Sequence, residues 1–392
     1  MKAMVWQGSG EVRLQKVDDS RIEAPTDAVV RFTTTAICGA DLRLIRVEGD
    51  TRSSGFRGHL GVGVVEALGG QVRNFAEGDR VVVPSSVACG MCHQCRKGWT
   101  AQCDFINHNG FGDSYLSGEG PEESMRMGLA DKARVPFASF NLVKLPDGIS
   151  DSEAILISDV FPTGYAGAEM ASIEAANSVA VIGCGPVGLF AVASARLMGA
   201  GRILAVDSEP ERLVQARRLG AETIDAAIED PVDVVKELTG GIGVDRAIET
   251  SGFKAGEPGR GPNGHDVGGK PAAASLSGDE RGLKWIVEML AKQGVASIIG
   301  RMPASAEAFP IGLAYERNLT IRAGAVHHRM VIPHLIDLVL AGRINPLEVV
   351  APTMETRLDR LEEEFRVMTR VTTQPAYLGS RLGGRRVTSS SG

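Results

Sequence analysis

Four of the six cysteines, Cys89, Cys92, Cys95 and Cys103, fall in the spacing C-x2-C-x2-C-x7-C. Four thiolates can close a tetrahedral shell around zinc with no open position, so the implied role is structural: a metal clamps a loop with little core of its own. Free or buried thiols, an iron–sulfur cluster, and replacement of one ligand by His93 are the open alternatives. A second run, Gly183-Cys184-Gly185-Pro186-Val187-Gly188, matches G-x-G-x-x-G. It follows the apolar run Val179–Ile182, opens a helix-like segment, and precedes an acidic residue, Asp207, at the end of the next strand-like run. In that context Gly183 permits a tight turn, Gly185 admits a pyrophosphate close to the backbone, and Gly188 lets helix pack on strand. The helix N-terminus, opened by Pro186 and Val187, offers free N–H groups and a positive dipole end. Asp207 would accept hydrogen bonds from the adenosine ribose and repel a 2′-phosphate. NAD(H) is therefore expected over NADP(H), with nearby Arg212 the one residue that weakens the inference. A glycine-rich turn that holds no dinucleotide is the alternative.

The elements that must position these groups change character along the chain. The first 150 residues read as β-rich, with strands expected at Ala28–Ile37, Gly63–Leu68 and Arg80–Val83. From Ser178 onward strands and helices alternate. Strands are expected at Ser178–Gly183, Arg202–Asp207, Asp245–Thr250 and Ala296–Gly300, and helices at Pro186–Met198, Glu211–Leu219 and Leu283–Lys292. Such alternation predicts a doubly wound parallel sheet. Phe253–Gly282 is rich in Gly, Pro and Ala and reads as a long surface loop, either a lid or contact segment or an insertion without a role. Leu358, Leu361, Phe365 and Met368 fall at helical spacing and predict a helix over Leu358–Thr369. The tail Ser380–Gly392, rich in Arg, Gly and Ser, is expected to be disordered. There are no internal repeats.

A length of 392 residues suits two domains better than one core. The net charge of −6 supplies no basic field for nucleic acid. The N-terminal stretch lacks the apolar core of a signal peptide, and no apolar run reaches membrane-spanning length, so a cytoplasmic protein is expected.

Several motifs together resemble the zinc-dependent medium-chain alcohol dehydrogenases, and in particular their formaldehyde dehydrogenase-like branch. They are ICGADL at Ile37–Leu42, GHLGVGVVE at Gly58–Glu66, EGDRVVVP at Glu77–Pro84, the cysteine lobe, SDVFPTGYAGAE at Ser158–Glu169, the glycine-rich turn, and FPIGLAYERNLTIRAG at Phe309–Gly324. The likeness runs from about Lys2 to Val350. It implies a second, catalytic zinc held by Cys38, His59 and Asp159, with Asp41 orienting His59 through its other ring nitrogen. It also implies that Thr163 and Gly164 face the cofactor, although Thr163 would serve equally as a helix cap. Three ligands leave one position at which zinc polarises a carbonyl or stabilises an alkoxide, while hydride passes to or from the nicotinamide.

Three residues depart from the family pattern. Ala40 stands where a Ser or Thr usually begins a proton relay, Arg43 replaces the usual His, and Leu60 replaces a Glu beside the His ligand. Arg43 stays charged and suits an anionic substrate group. Water or cofactor hydroxyls could carry the proton instead; alternatively the chemistry has changed, as in reduction of an activated C=C bond, which needs less alcohol deprotonation. His327 and His328 follow the last expected strand; they either approach the cofactor or the domain cleft or lie at the surface, and the surface is the expectation. Trp99, Phe111 and Phe161 either line the substrate cleft or simply pack.

The expected architecture is α/β. A GroES-like, β-rich catalytic domain (residues 1–157 and 325–380) accompanies a Rossmann NAD-binding domain (158–324), with a disordered tail at 381–392. The site is expected in the cleft between the two domains. The expected activity is hydride transfer between NAD(H) and an alcohol, aldehyde or ketone, with two zinc ions per chain, a small-molecule substrate, no nucleic acid or membrane partner, and a homodimer or homotetramer. A C=C reductase, a dismutase with retained cofactor, and a non-catalytic zinc- and dinucleotide-binding protein are the alternatives.

Overall fold

The computed structural model describes residues 1–6, 12–39, 41, 59–106, 129–252, 280–302, 309–350, 355–356, 362 and 377–381. The chain divides into two compact units. One comprises Met1–Asp159, His327–Leu347 and Pro352–Gly392; the other comprises Val160–Val326 and Glu348–Ala351.

In the first unit β1 (Lys2–Trp6) and β2 (Val12–Lys16) form an antiparallel pair. The main sheet is built on β3 (Ala28–Cys38), a run dense in β-branched residues that suit a pleated, half-buried surface. β3 pairs antiparallel with β4 (Gly61–Leu68), and β4 with β5 (Arg80–Val83). β6 (Lys132–Val135) lies on β3, and β7 (Val143–Lys144) extends the sheet from β5. Val30, Phe32, Val65, Val81 and Val83 share one buried core with the cysteine lobe. Helix α1 (Asp151–Ile157) packs against β3, β4 and β5. It starts at a capping box: the Ser150 hydroxyl accepts from the Glu153 N–H while Glu153 accepts from the Ser150 N–H, satisfying two amides that a helix start would leave bare.

The second unit opens with α2 (Val160–Met170) and holds a six-stranded, all-parallel sheet. Its strands are β8 (Ser178–Ile182), β9 (Arg202–Asp207), β10 (Glu222–Asp225), β11 (Val244–Glu249), β12 (Leu290–Ile298) and β13 (Thr320–Ala323). The spatial order is β10-β9-β8-β11-β12-β13, a doubly wound sheet whose order reverses between β8 and β11. Central β8 buries Val179, Ala180, Val181 and Ile182, the continuous apolar run expected of a parallel strand covered on both faces. Helices α3 (Pro186–Leu197), α4 (Pro210–Arg218), α5 (Pro231–Leu238), α6 (Glu280–Glu288) and α7 (Ile311–Glu316) accompany the strands. The chain then returns to the first unit through α8 (His328–Leu340). There β14 (Glu355–Thr356) and β15 (Tyr377–Arg381) complete the main sheet, β15 running antiparallel to β3.

Three sequence expectations need correction. The helix expected at Leu283–Lys292 ends at Glu288, and β12 starts at Leu290, six residues before the strand expected at Ala296. Leu290 pairs with Val244, and the register then shifts between Val244 and Arg246 around the left-handed Gln293 (φ 62°). Buried strand pairing thus overrides the helix preference of Met289-Leu290-Ala291-Lys292. The segment expected as a loop, Phe253–Gly282, ends in helix, since α6 begins at Glu280; the rest of it lies outside the described residues. The tail expected to be disordered begins as strand: Ser380 pairs with Thr35, and Arg381 with Thr34. Apart from Glu362, the expected helix Leu358–Thr369 also lies outside the described residues. No helix among the described residues is long and apolar enough to cross a membrane.

Candidate functional site

Cys38 ends β3 and His59 stands just before β4. The antiparallel register, which pairs Thr35 with Gly61, brings both residues to the same end of the hairpin. The Thr35 hydroxyl donates to the Leu60 carbonyl at 2.8 Å and pins that end. Asp159 follows α1; the Ser85 N–H, just beyond β5, donates to the Ser158 carbonyl at 3.1 Å. The result is a cluster in which Cys38, Asp41 and His59 are buried and Asp159 is partly exposed. His59 Nε2 lies 3.2 Å from Cys38 Sγ and 3.6 Å from Asp159 Oδ2. On the other side of the ring, His59 Nδ1 meets Asp41 Oδ1 at 3.2 Å, while Asp41 Oδ2 accepts the Cys38 backbone N–H at 2.8 Å. Cys38, Asp41 and His59 have donor atoms close enough to hold a metal ion together. Because Asp41 faces Nδ1, however, a metal on Nε2 would find its carboxylate partner in Asp159.

The protonation chemistry of the cluster suits a cation. Burial raises the Cys38 thiol above its ordinary value, against the pull of His59. For His59, burial acts downward, but Cys38, Asp41 and Asp159 outweigh it and raise the imidazole well above its usual range. For Asp159, burial acts upward, but hydrogen bonds from His328 and His59 outweigh it and hold the carboxyl well below the usual range. A thiol and a carboxylate each lie against the same imidazole nitrogen, and these donor types fit zinc.

Ser85 was missed by sequence reasoning, and His328 was singled out there but expected at the surface. His328 is 3% exposed rather than at the surface, a correction that follows from its three partners. Its Nε2 lies 3.2 Å from Asp159 Oδ1 and 3.1 Å from Ser85 Oγ, and its Nδ1 lies 2.9 Å from Ser86 Oγ. The Ser85 hydroxyl donates to Asp159 Oδ1 at 2.6 Å. The only local signal was a Ser-Ser pair interrupting an apolar stretch; nothing in the sequence ties it to a histidine more than two hundred residues on. His327, half-buried, accepts the Ala101 N–H on Nδ1 at 3.1 Å.

In the cysteine lobe, Cys89 Sγ and Cys95 Sγ are 3.9 Å apart, as are Cys92 Sγ and Cys103 Sγ. A tetrahedron with zinc–sulfur bonds of about 2.3 Å has edges of about 3.8 Å. Backbone N–H groups of Met91 and Cys92 point at Cys89 Sγ, and those of Cys95 and Cys89 at Cys92 Sγ and Cys103 Sγ, at 3.3–3.4 Å. Burial acts upward on the thiols of Cys92, Cys95 and Cys103. For Cys92 the N–H groups of Cys95 and Asp104 outweigh it and bring the thiol down to about 7, whereas Cys95 and Cys103 stay raised. Four thiolates together therefore need a cation, and the donor set fits one. His93 forms part of the one-turn helix His93–Arg96 and is outside this four-sulfur group.

The glycine-rich turn joins β8 to α3. Gly183 has φ +90° and donates to the Val206 carbonyl at 2.8 Å. A Cβ on Gly188 would stand 1.8 Å from the Gly183 carbonyl oxygen, whereas one on Gly185 would meet nothing within 4 Å. Gly185 caps α3, and Pro186 and Val187 open it, leaving the first amides free for an anion. Asp207 Oδ2 accepts the Cys184 N–H at 2.6 Å, and Oδ1 accepts those of Ser208 and Glu209 at 2.8 and 3.0 Å. Arg212 Nη1 approaches Asp207 at 3.7 Å. The open space beside Gly185 and the carboxylate of Asp207 fit a dinucleotide.

Thr163 lies inside α2, not at its cap, and Gly164 lets α2 approach α3: a Cβ there would stand 2.6 Å from both the Phe190 Cβ and the Val187 carbonyl oxygen. Phe161 is fully buried and stacks on Phe190 at 4.7 Å, so it packs the second unit rather than lining a cleft. Trp99 is half-exposed under Lys97. Ala40, Arg43 and Phe111 lie outside the described residues.

Comparison with known proteins bears on this arrangement. Residues 24–147 match the family model described as "Alcohol dehydrogenase GroES-like domain", and residues 186–257 match "Zinc-binding dehydrogenase". The chain is 33% identical over 358 residues to a zinc-type alcohol dehydrogenase-like protein, AdhB, of Bacillus subtilis, covering 90% of this chain and 92% of that protein. The chain belongs to the zinc-type alcohol dehydrogenase family. Within that family, glutathione-independent formaldehyde dehydrogenase of Pseudomonas aeruginosa is 30% identical over 366 residues, covering 89% of this chain and 90% of that protein. The solved structure of alcohol dehydrogenase TADH from Thermus sp. ATN1 superposes with a TM-score of 0.82 at 30% identity, covering 98% of this chain and all of that one. These likenesses support the zinc-type alcohol dehydrogenase family as a whole rather than its formaldehyde dehydrogenase branch. The first unit is GroES-like and the second a Rossmann-type parallel sheet.

Proposed function

We propose that this chain is a zinc-dependent oxidoreductase that exchanges a hydride between an alcohol and the corresponding aldehyde or ketone, with NAD(H) as the partner. The observation that carries the reading is that Cys38 Sγ and Asp159 Oδ2 both lie against His59 Nε2, at 3.2 and 3.6 Å. Cys38, His59 and Asp159 would hold a catalytic zinc, and Cys89, Cys92, Cys95 and Cys103 a structural one. The bound groups supply Lewis acidity to the substrate oxygen and a hydride acceptor to its carbon. Asp41 keeps His59 Nδ1 engaged so that Nε2 faces Cys38 and Asp159. With three protein ligands, the metal would keep room for the substrate oxygen. Gly183, Gly185 and Gly188 would shape the turn that holds the pyrophosphate, the N-terminus of α3 at Pro186 and Val187 would receive its charge, and Asp207 would take the ribose hydroxyls. The Asp207 carboxylate supports NAD(H) over NADP(H), and Arg212, whose Nη1 lies 3.7 Å from it, is the one residue that counts the other way. Thr163 is assigned to the cofactor side from the family pattern, and Arg43, a departure from that pattern, to an anionic substrate group from the chemistry of its guanidinium. The need to keep the lobe's four thiols reduced supports a cytoplasmic setting.

The test is metal analysis and an alcohol and aldehyde panel on the same sample, followed by NADH and NADPH absorbance. Two zinc ions per chain with NAD-linked turnover are expected. A single zinc, retained when Cys38 is replaced by Ser, would remove the catalytic assignment. Full metal and NAD binding with no turnover across the panel would favour reduction of an activated C=C bond, the chemistry that Ala40 best tolerates.

A further inference from the structure

We infer that Ser85 and His328 are positioning residues for Asp159: they occupy one oxygen of its carboxylate so that the other stays presented beside His59. This rests on the proposed metal cluster and adds to it a contribution from the chain's return segment. Asp159 Oδ1 receives the Ser85 hydroxyl at 2.6 Å and lies 3.2 Å from His328 Nε2, while Oδ2 faces His59 Nε2 at 3.6 Å. Ser85 has one hydroxyl proton, and at 2.6 Å it goes to the carboxylate. The 3.1 Å contact between Ser85 Oγ and His328 Nε2 therefore requires Nε2 to be the donor. In the neutral ring Nδ1 is then an acceptor, and the Ser86 hydroxyl stands 2.9 Å away to supply the bond. Every polar atom of the imidazole is matched, so the ring has one preferred orientation.

Ser85, Ser86 and His328 are each less than 5% exposed, so water does not compete for these bonds. A carboxylate with one oxygen held by two donors cannot swing freely about its last torsion. That restriction favours a single-oxygen approach to a metal over a two-oxygen one. The arrangement also explains why His328 is buried: it is the first residue of α8, and its position is shared with His327, which takes the Ala101 N–H.

The experiment uses the full chain with zinc and, in parallel, with cobalt(II) as a coloured replacement. The variants are Ser85→Ala, His328→Ala and His328→Gln; the metal of the four-cysteine lobe serves as the internal control for folding. Ser85→Ala and His328→Ala are expected to weaken metal binding at the Cys38 cluster about tenfold to a hundredfold. The cobalt ligand-field bands of that site should shift while the lobe keeps its metal. His328→Gln should restore much of the affinity, because its amide can donate to Asp159 and accept from Ser86. Unchanged affinity and spectrum in both alanine variants would overturn the inference, and so would a glutamine variant no better than alanine. Should His328→Ala lose the lobe metal as well, Ser85→Ala and His328→Gln decide the question. A wild-type chain that holds metal only in the lobe would remove the cluster itself, an outcome visible before any variant is made.

Discussion

The Asp41 carboxylate bridges the two neighbouring donors, meeting His59 Nδ1 at 3.2 Å and the Cys38 backbone N–H at 2.8 Å. One residue thus fixes both the ring orientation of His59 and the chain turn that carries Cys38. Outer partners of this kind are typically worth about tenfold to a hundredfold in metal affinity. Asp41→Ala is expected to lose about that much at the Cys38 cluster, measured by chelator competition, with the lobe metal retained. Asp41→Asn should lose less, since its amide oxygen can still accept from one of the two donors. Equal metal retention in wild type and Asp41→Ala would contradict this role.

The cysteine lobe predicts a separate loss. Cys103→Ser removes one corner of a sulfur set in which the Cys89–Cys95 and Cys92–Cys103 edges, both 3.9 Å, match a zinc tetrahedron. The expected result is about one metal fewer per chain and a destabilisation of about 4 kcal/mol or more in denaturant unfolding, the range reached when a structural metal is lost. An unchanged unfolding midpoint would show that the lobe holds its shape without metal.

Gly185 and Gly188 should respond oppositely to the same substitution. Gly188→Ala places a methyl group against the Gly183 carbonyl, so the turn must move; a cost of about 1–3 kcal/mol is expected. Gly185→Ala meets only open space, and its backbone (φ −65°) suits any residue, so stability should hold. NAD binding should nevertheless fall, because the methyl occupies the space a pyrophosphate needs. Calorimetry of both variants, with and without NAD, checks the contrast; full NAD affinity in Gly185→Ala would place the dinucleotide elsewhere.

His327 predicts a pH dependence. Burial, helped by neighbouring His328, lowers its pKa below the ordinary value near 6.5. The native state therefore binds fewer protons than the unfolded chain just below pH 6.5, so stability is full above about pH 6.5 and declines as pH falls below it. Protonation would also cost the bond that Nδ1 accepts from Ala101. The ring is only partly buried, so the effect should be only a fraction of the ~1.4 kcal/mol per pH unit that one fully shifted proton contributes. His327→Gln keeps an acceptor but has no proton to gain. Urea midpoints between pH 5 and 8 should decline less steeply in the variant; parallel slopes would assign the acid sensitivity elsewhere.

What the sequence determined by itself is what short spacings and local periodicity encode. The cysteine lobe spans fifteen residues, so its spacing alone placed four sulfurs together. The glycine-rich turn and Asp207 belong to one strand–helix–strand unit, and each residue type there answers a local geometric need. The central parallel strands were legible because residues buried on both faces must be apolar. Only the tertiary structure decided the rest. Leu290–Lys292 reads as helix and becomes strand because pairing with β11 outweighs a weak local preference. Ser380 and Arg381 look like a polar tail and pair with β3. His328 looks like a surface residue and is buried against Ser85, Ser86 and Asp159. Cys38, His59 and Asp159 were paired by family pattern, not by spacing. Contacts between residues more than a hundred positions apart leave no periodic trace in the chain, since their cost and reward are realised only when the sheet has brought the strand ends together.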